Sequence, residues 1–235
     1  MTLWIGVDYI EPWYYLVGIQ NLQPIFFKKL SFEQWISHPL TTANHHWVVK
    51  IPAHEVDLDK VKGEFYSPND CLQILKQQYG SSFVDYQFSV FYLGLYQGIP
   101  YWSIARVPKA TIQEYLCRFK PIIKNIDVLE LDMRVIWLYV FHLFKNKQWG
   151  CVFYQQRGMF YALLGKQEWL MAIHSSCSLE QLKNKILVDY PWIVWTCCFN
   201  DVPKIDTPWV SYEIEMDSIW RMSFALAFRG EYDAD

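Results

Sequence analysis

A single order of secondary structure is written twice in this chain, and that repetition limits the folds open to it. The opening runs are Leu3-Trp4-Ile5-Gly6-Val7-Asp8, Trp13-Tyr14-Tyr15-Leu16-Val17-Gly18-Ile19 and Pro24-Ile25-Phe26-Phe27-Lys28-Lys29. Their apolar, aromatic and β-branched residues, separated by turn residues, predict three strands. Ser31-Phe32-Glu33-Gln34 is a capping box that opens a short helix, and Trp47-Val48-Val49-Lys50-Ile51 reads as a fourth strand. The second half runs the same way. Strands are predicted over 149–155, 159–164 and 169–174, with turns at Gln156-Arg157-Gly158 and Gly165-Lys166-Gln167. A second capping box, Ser178-Leu179-Glu180-Gln181, opens a helix through Leu187, and Trp192 to Phe199 predicts another strand. Strand, strand, strand, helix, strand therefore occurs twice.

Between the halves lies a segment of another kind. Ser67-Pro68-Asn69-Asp70 is a strong helix start, with an N-cap serine, proline at the first helical position and an acid in the first turn. Cys71, Leu72, Leu75 and Tyr79 give one apolar stripe, and Gly80 suits the residue after the helix. Strands over 86–96 and 99–107, joined at Gln97-Gly98, form a predicted hairpin. A helix over 109–120, with Ile112, Tyr115, Leu116 and Phe119 inward, ends at Pro121. Residues 122–131 read as mostly strand, and Asp132 as the cap of a nearly all-apolar helix from Met133 to Phe144. A final helix is predicted over 219–229, capped by Ser218 or Asp217 and ended by Gly230, with 231–235 a solvated acidic tag.

Composition narrows the function classes. At 52% hydrophobic and 19% charged, the 235-residue chain is globular rather than disordered. A net charge of -3 without a basic block argues against nucleic acid. The 18% of aromatic residues fits a large core, with part left for an interaction surface. The N-terminus lacks the features of a signal peptide, and no uncharged apolar run reaches ~18 residues, so a soluble cytoplasmic protein is expected. The six cysteines are scattered without a C-x-x-C pair, so a metal site is not expected. His45-His46 read as loop or surface residues, and His174 with Cys177 lack a partner pair for a ligand set.

Gly6-Val7-Asp8 resembles the end of the first strand in the actin-like superfamily of sugar kinases, Hsp70 and actin. In that superfamily the following turn is small, glycine-rich and often lysine-bearing, and it holds nucleotide phosphates. Here Tyr9-Ile10-Glu11-Pro12-Trp13 has neither glycine nor lysine, Pro12 removes an N–H, and Glu11 adds negative charge. On this stretch alone, Asp8 reads equally well as a turn-capping aspartate. The second phosphate motif, Asp-x-Gly, is replaced by 149–158 with no aspartate. The Gly-Gly adenosine motif is replaced by Cys197-Cys198-Phe199-Asn200-Asp201.

Within the superfamily the chain resembles PilM-type proteins, including the HofM and ComA-like proteins of DNA uptake. Ala225-Leu226-Ala227-Phe228-Arg229-Gly230 resembles their C-terminal end. The strand with Asp8, the strand ending in Ile51-Pro52, the stretch from Asp85-Tyr86 to Lys109, and Ile126 to Asp132 follow in the family's order. The resemblance implies a duplicated α/β, actin-like (ribonuclease H-like) fold. Its first lobe spans 1–145, with an α+β insertion over about 54–121. Its second lobe spans 146–235, with the final helix over about 218–229.

The resemblance also implies a non-enzymatic scaffold of a type IV pilus or competence machine, peripheral at the cytoplasmic face of the inner membrane. It would reach the membrane only through a partner, a PilN-like single-span protein. That partner's cytoplasmic N-terminus would lie in a groove between core and insertion, with Tyr86, Trp102 and Arg106 as the expected contacts. Self-association is a further possibility of this reading; catalytic, metal and cofactor residues are not expected. The rival readings are a nucleotide-binding ATPase or small-molecule kinase of the same fold, and a plain α/β binding module unconnected with pili. The ATPase requires phosphate loops that the sequence lacks.

Overall fold

The computed structural model describes residues 3–41, 44–62, 67–96, 99–123, 125–167 and 169–232. They fall into two compact units, residues 1–50 with 122–235, and residues 51–121.

In chain order the first unit begins with β1 (Trp4–Ile10), β2 (Trp13–Gln20) and β3 (Gln23–Leu30). These form an antiparallel meander. Then come α1 (Phe32–Ile36) and β4 (His46–Ile51). Ser31 makes the predicted capping box: its side chain accepts from Gln34 N, and the Gln34 side chain accepts from Ser31 N. β4 returns parallel to β1.

The second unit holds β5 (Asp57–Lys62), α2 (Pro68–Tyr79), β6 (Tyr86–Tyr96), β7 (Ile99–Pro108) and α3 (Lys109–Phe119). Its sheet order is β5-β7-β6. Ser67 caps α2 as predicted, accepting from Asp70 N. The third strand, β5, was not expected; its Asp57-Leu58-Asp59-Lys60 has too little apolar character to read as a strand. The expected turn at Gln97-Gly98 lies outside the described residues.

The chain then re-enters the first unit as β8 (Val128–Leu131) and α4 (Asp132–Phe144). It continues as β9 (Trp149–Gln156), β10 (Met159–Lys166), β11 (Trp169–Ser176), α5 (Leu179–Asp189), β12 (Trp195–Cys198), β13 (Val210–Tyr212) and α6 (Ser218–Tyr232). The two sheets run β3-β2-β1-β4-β8 and β11-β10-β9-β12-β13. They share one topology, so the duplication read from the sequence is present. Each repeat adds one more strand and a closing helix to the predicted unit.

Inner and outer faces are covered by different means. On the outer face of the first sheet, fully buried Trp35 of α1 meets Tyr14 at 4.5 Å and Trp47 at 6.0 Å. A side chain of this size stabilises by roughly 3 kcal/mol when removed from water. On the second sheet, Leu182 and Ile186 of α5 pack among Cys151, Phe153, Ala162, Leu164 and Ala172.

The closing helices cross over. α6, last in the second repeat, lies on the first sheet, where Ser223 Oγ donates to Tyr15 O at 2.8 Å. α4, last in the first repeat, places Trp137 on Trp195 of β12 at 5.8 Å. The helices meet through Tyr139, whose ring lies 5.5 Å from Phe224 and 5.8 Å from Phe228.

Four expectations need correction. The strand predicted over 122–131 is ordered as strand only from Val128, because Asp127 turns back to bond Trp47 through its carboxylate and its amide. Asp132 is the first helical residue rather than the cap; Leu131 occupies the cap position without a side-chain bond. Gly230 does not end the final helix. It is buried within α6, and a Cβ there would lie 2.3 Å from Trp4 and 2.6 Å from Val48.

Glu231 is not a solvated tag either. Its carboxylate accepts from Asn21 N at 2.7 Å and Leu22 N at 2.6 Å. Both turn residues sit at positive φ, 50° and 58°, in the primed geometry of a two-residue hairpin. A leucine is strained there, and a carboxylate on two converging amides offsets that strain.

Candidate functional site

The three places where an actin-like protein would grip a nucleotide can each be built from residues. The first is the end of β1. Parallel pairing of Val7 with Val49 sets Asp8 beside Lys50, and the Asp8 carboxylate, 3% exposed, meets Lys50 Nζ at 2.8 Å. The carboxylate that could have held a cation is thus already paired with one. The turn beyond it is two residues, Glu11-Pro12, too short to wrap an anion.

Counted back from the hairpin turns, Asp8 of β1 corresponds to Tyr154 of β9, and Lys50 to Phe199. Tyr154 is buried and stacks on Tyr161 at 4.8 Å. Burial, then the negative charge of Asp132, pushes its hydroxyl well above the ordinary tyrosine range. Asp132 is fully buried at the start of α4 and accepts from Gln156 Nε2 at 2.9 Å. The second turn, Arg157-Gly158, is again two residues in the primed hairpin geometry.

At the third place, the end of β12, the chain fills the space itself. Phe199 is buried and its amide donates to Phe153 O at 2.8 Å. The Asn200 carboxamide spans Gln155, accepting from its N at 2.8 Å and donating to its O at 2.6 Å. Arg221 donates to the carbonyls of Phe199, Cys198, Ile214 and Met216. Burial pushes the Cys197 thiol up to about 12, so it stays protonated and is a poor nucleophile. Among the described residues, no group of three or more His, Cys, Asp or Glu could hold a metal ion. His174 is engaged with the Tyr190 hydroxyl at 2.6 Å.

The expected partner-binding residues share one face of the second unit's sheet. The register sets Phe88 opposite Arg106 and Tyr92 opposite Trp102, and Tyr86 begins the same face of β6. Trp102 is 4% exposed. Arg106 donates from Nε and Nη2 to Asp57 (3.2 and 2.6 Å) and from Nη1 to the Tyr79 hydroxyl. Its guanidinium lies over Tyr79 at 5.2 Å and Tyr86 at 5.5 Å. Tyr86 and Arg106 thus take part in a packed cluster with Tyr79 and Asp57, and Trp102 is buried further along the same face of β7. Sequence reasoning missed Lys50, Asp132 and Tyr154. The period-2 position of Lys50 in an otherwise buried strand was the one signal that could have found it.

No family model and no curated protein matches the sequence. Solved structures do match the fold. One is the cytoplasmic domain of EpsL, an inner-membrane component of the type II secretion system of Vibrio cholerae. It has a TM-score of 0.63 at 12% identity, covering 100% of this chain and 95% of that one. Another is a PilM-PilN type IV pilus biogenesis complex, TM-score 0.65 at 9% identity, covering 96% and 98%. A third is a Bacteroides thetaiotaomicron protein with an actin-like ATPase fold and unknown function, TM-score 0.52 at 7% identity, covering 95% of each chain. The chain has an actin-like fold. Among the described residues, no helix is long and apolar enough to cross a membrane.

Proposed function

We propose that this chain is a non-enzymatic, PilM-like scaffold of a type IV pilus or DNA-uptake machine at the cytoplasmic face of the inner membrane. It holds the cytoplasmic N-terminal peptide of a PilN-like, single-span partner. The observation that carries this reading is the Asp8–Lys50 ion pair. A carboxylate neutralised in place, beside a turn with no room for phosphate, leaves the frame of an ATPase without its grip on Mg²⁺ and nucleotide. The fold likeness to a PilM-PilN complex over nearly the full length of both chains supports the choice of machine. In this reading Tyr86, Trp102 and Arg106 fix the shape of the insertion's hairpin against which the peptide lies.

A second machine is favoured by a specific observation, the full-length likeness to the cytoplasmic domain of a type II secretion component. The same scaffold would then serve secretion.

The test is calorimetric titration with a synthetic peptide carrying the N-terminal cytoplasmic residues of a PilN-like protein encoded beside this one. Saturable binding, weakened by Arg106→Ala in a chain that thermal melts show to be still folded, is the expected result. Absence of binding by the wild-type chain overturns the pilus reading. Micromolar binding of Mg-ATP, with phosphate release, would replace it with the ATPase.

A further inference from the structure

β3 and β11 are the same strand of the two repeats, and each ends its sheet. They differ in what they show to water. Among the described side chains of β11 no large apolar residue is exposed, whereas in β3 Ile25 is 56% and Phe27 42% exposed. Alternation puts Phe27 and Lys29, opposite Val17 and Tyr15, on the face shared with α6. There the Phe27 ring meets Trp220 at 5.6 Å. Lys29 Nζ is held 4.6 Å from the Trp13 ring and 5.5 Å from Tyr15. Lys28, on the other face, has its Nζ 2.9 Å from His38 Nε2. Among the described residues no acid pairs with either lysine.

The open edge is short and charged. Pro24 has no N–H to offer, and the register shift opposite Gly18 and Ile19 leaves Ile25 unpaired. The usable ladder is therefore Phe26–Leu30. Two lysines in it oppose pairing with a second copy, since antiparallel pairing centred on Lys28 sets that residue against itself. The same charges favour an acidic strand.

We propose that this edge docks an extended acidic segment of another protein, which continues the first sheet by main-chain pairing. An apolar residue of that segment lies opposite Phe27. Two adjacent acids lie opposite Lys28 and Lys29, one on each face. The site belongs to the first unit, and the inference does not depend on the pilus reading.

The probe is an eight-residue peptide alternating valine and threonine around a central Glu-Glu pair, with a Lys-Lys version as control. The full chain should bind the acidic peptide, slow amide exchange at residues 26–30, and release it as salt is raised. The double variant Lys28→Glu/Lys29→Glu should bind it about tenfold more weakly and gain affinity for the Lys-Lys peptide. Thermal melts show whether that variant is folded. If it is not, Phe27→Ser should weaken the acidic peptide in its place. Failure to bind at millimolar peptide overturns the proposal, as does affinity that ignores the charge swap. A dimer lost in Phe27→Ser, or co-sedimentation with anionic vesicles without peptide binding, would overturn it in favour of a second copy or a lipid surface.

Discussion

At matching steps of the two repeats the chain makes opposite choices. Where β1 and β4 end in the first sheet, Asp8 and Lys50 form an ion pair at 2.8 Å. Where β9 and β12 end in the second, Tyr154 and Phe199 stand instead, both buried. One topology is thus closed by charge on one side and by aromatic packing on the other. The glycines divide similarly. A Cβ on Gly6 would lie 1.9 Å from Ser223 O and 2.5 Å from Ala227 N, so Gly6 admits the backbone of α6. Its counterpart by register is Val152, and the close approach in β9 falls at Gly150, which admits the Trp195 ring. The first sheet takes its closing helix at backbone distance, while α4 sets the Trp137 ring on the second.

The largest expected effect tests that close approach. Gly6→Ala should destabilise by about 4 kcal/mol, since rigid helix backbone cannot yield. Gly158→Ala, with φ at 77° but open space around it, should cost about 1 kcal/mol. Denaturant titration of both compares a spatial need in one repeat with a conformational need in the other. Equal midpoints would show that α6 can stand off from β1.

Next comes the ion pair. Lys50→Met strands a buried carboxylate and should destabilise by about 3 kcal/mol. Asp8→Asn with Lys50→Met should recover most of that, because the amide needs no counter-charge. If the double variant is no better than the single, the pair is more than a replaceable closure.

A smaller effect than the loss of the ion pair is read from pH. Burial, the largest cause, raises Tyr139 to about 12 from the ordinary 10. Between those values the folded chain keeps a proton that the unfolded chain has lost, so stability falls as pH rises from 10 towards 12. The loss between pH 10 and pH 12 amounts to about 2 kcal/mol. Tyr139→Phe should flatten that part of the alkaline stability curve, and an unchanged slope would mean that the α4–α6 contact is wet.

Much of the frame was legible because it rests on local signals. The capping serines at 31, 67 and 178, the hairpin turns and the repeated strand order each lie within a few residues of sequence. The departures from the phosphate motifs are equally local: Glu11-Pro12 brings neither glycine nor lysine, and 149–158 has no aspartate. What escaped was non-local. Lys50 reaches Asp8 only once β4 pairs parallel with β1. Asp132 looked like a cap because nothing near it in sequence reveals the side chain of Gln156. β13 is three residues, Val210-Ser211-Tyr212, with no pattern to count. Gly230 beside a run of small residues reads as a stop signal, and only Trp4 and Val48 explain it as a point of contact.

The crossover of α6 has a bearing on how the protein is made. The face of β1 and β2 that this helix covers emerges from the ribosome well before its cover and the Glu231 clasp, which follow 208 and 210 residues later. Until then the nascent first sheet carries a bare apolar face, the kind of surface that chaperones hold and that misassembles when it is left alone.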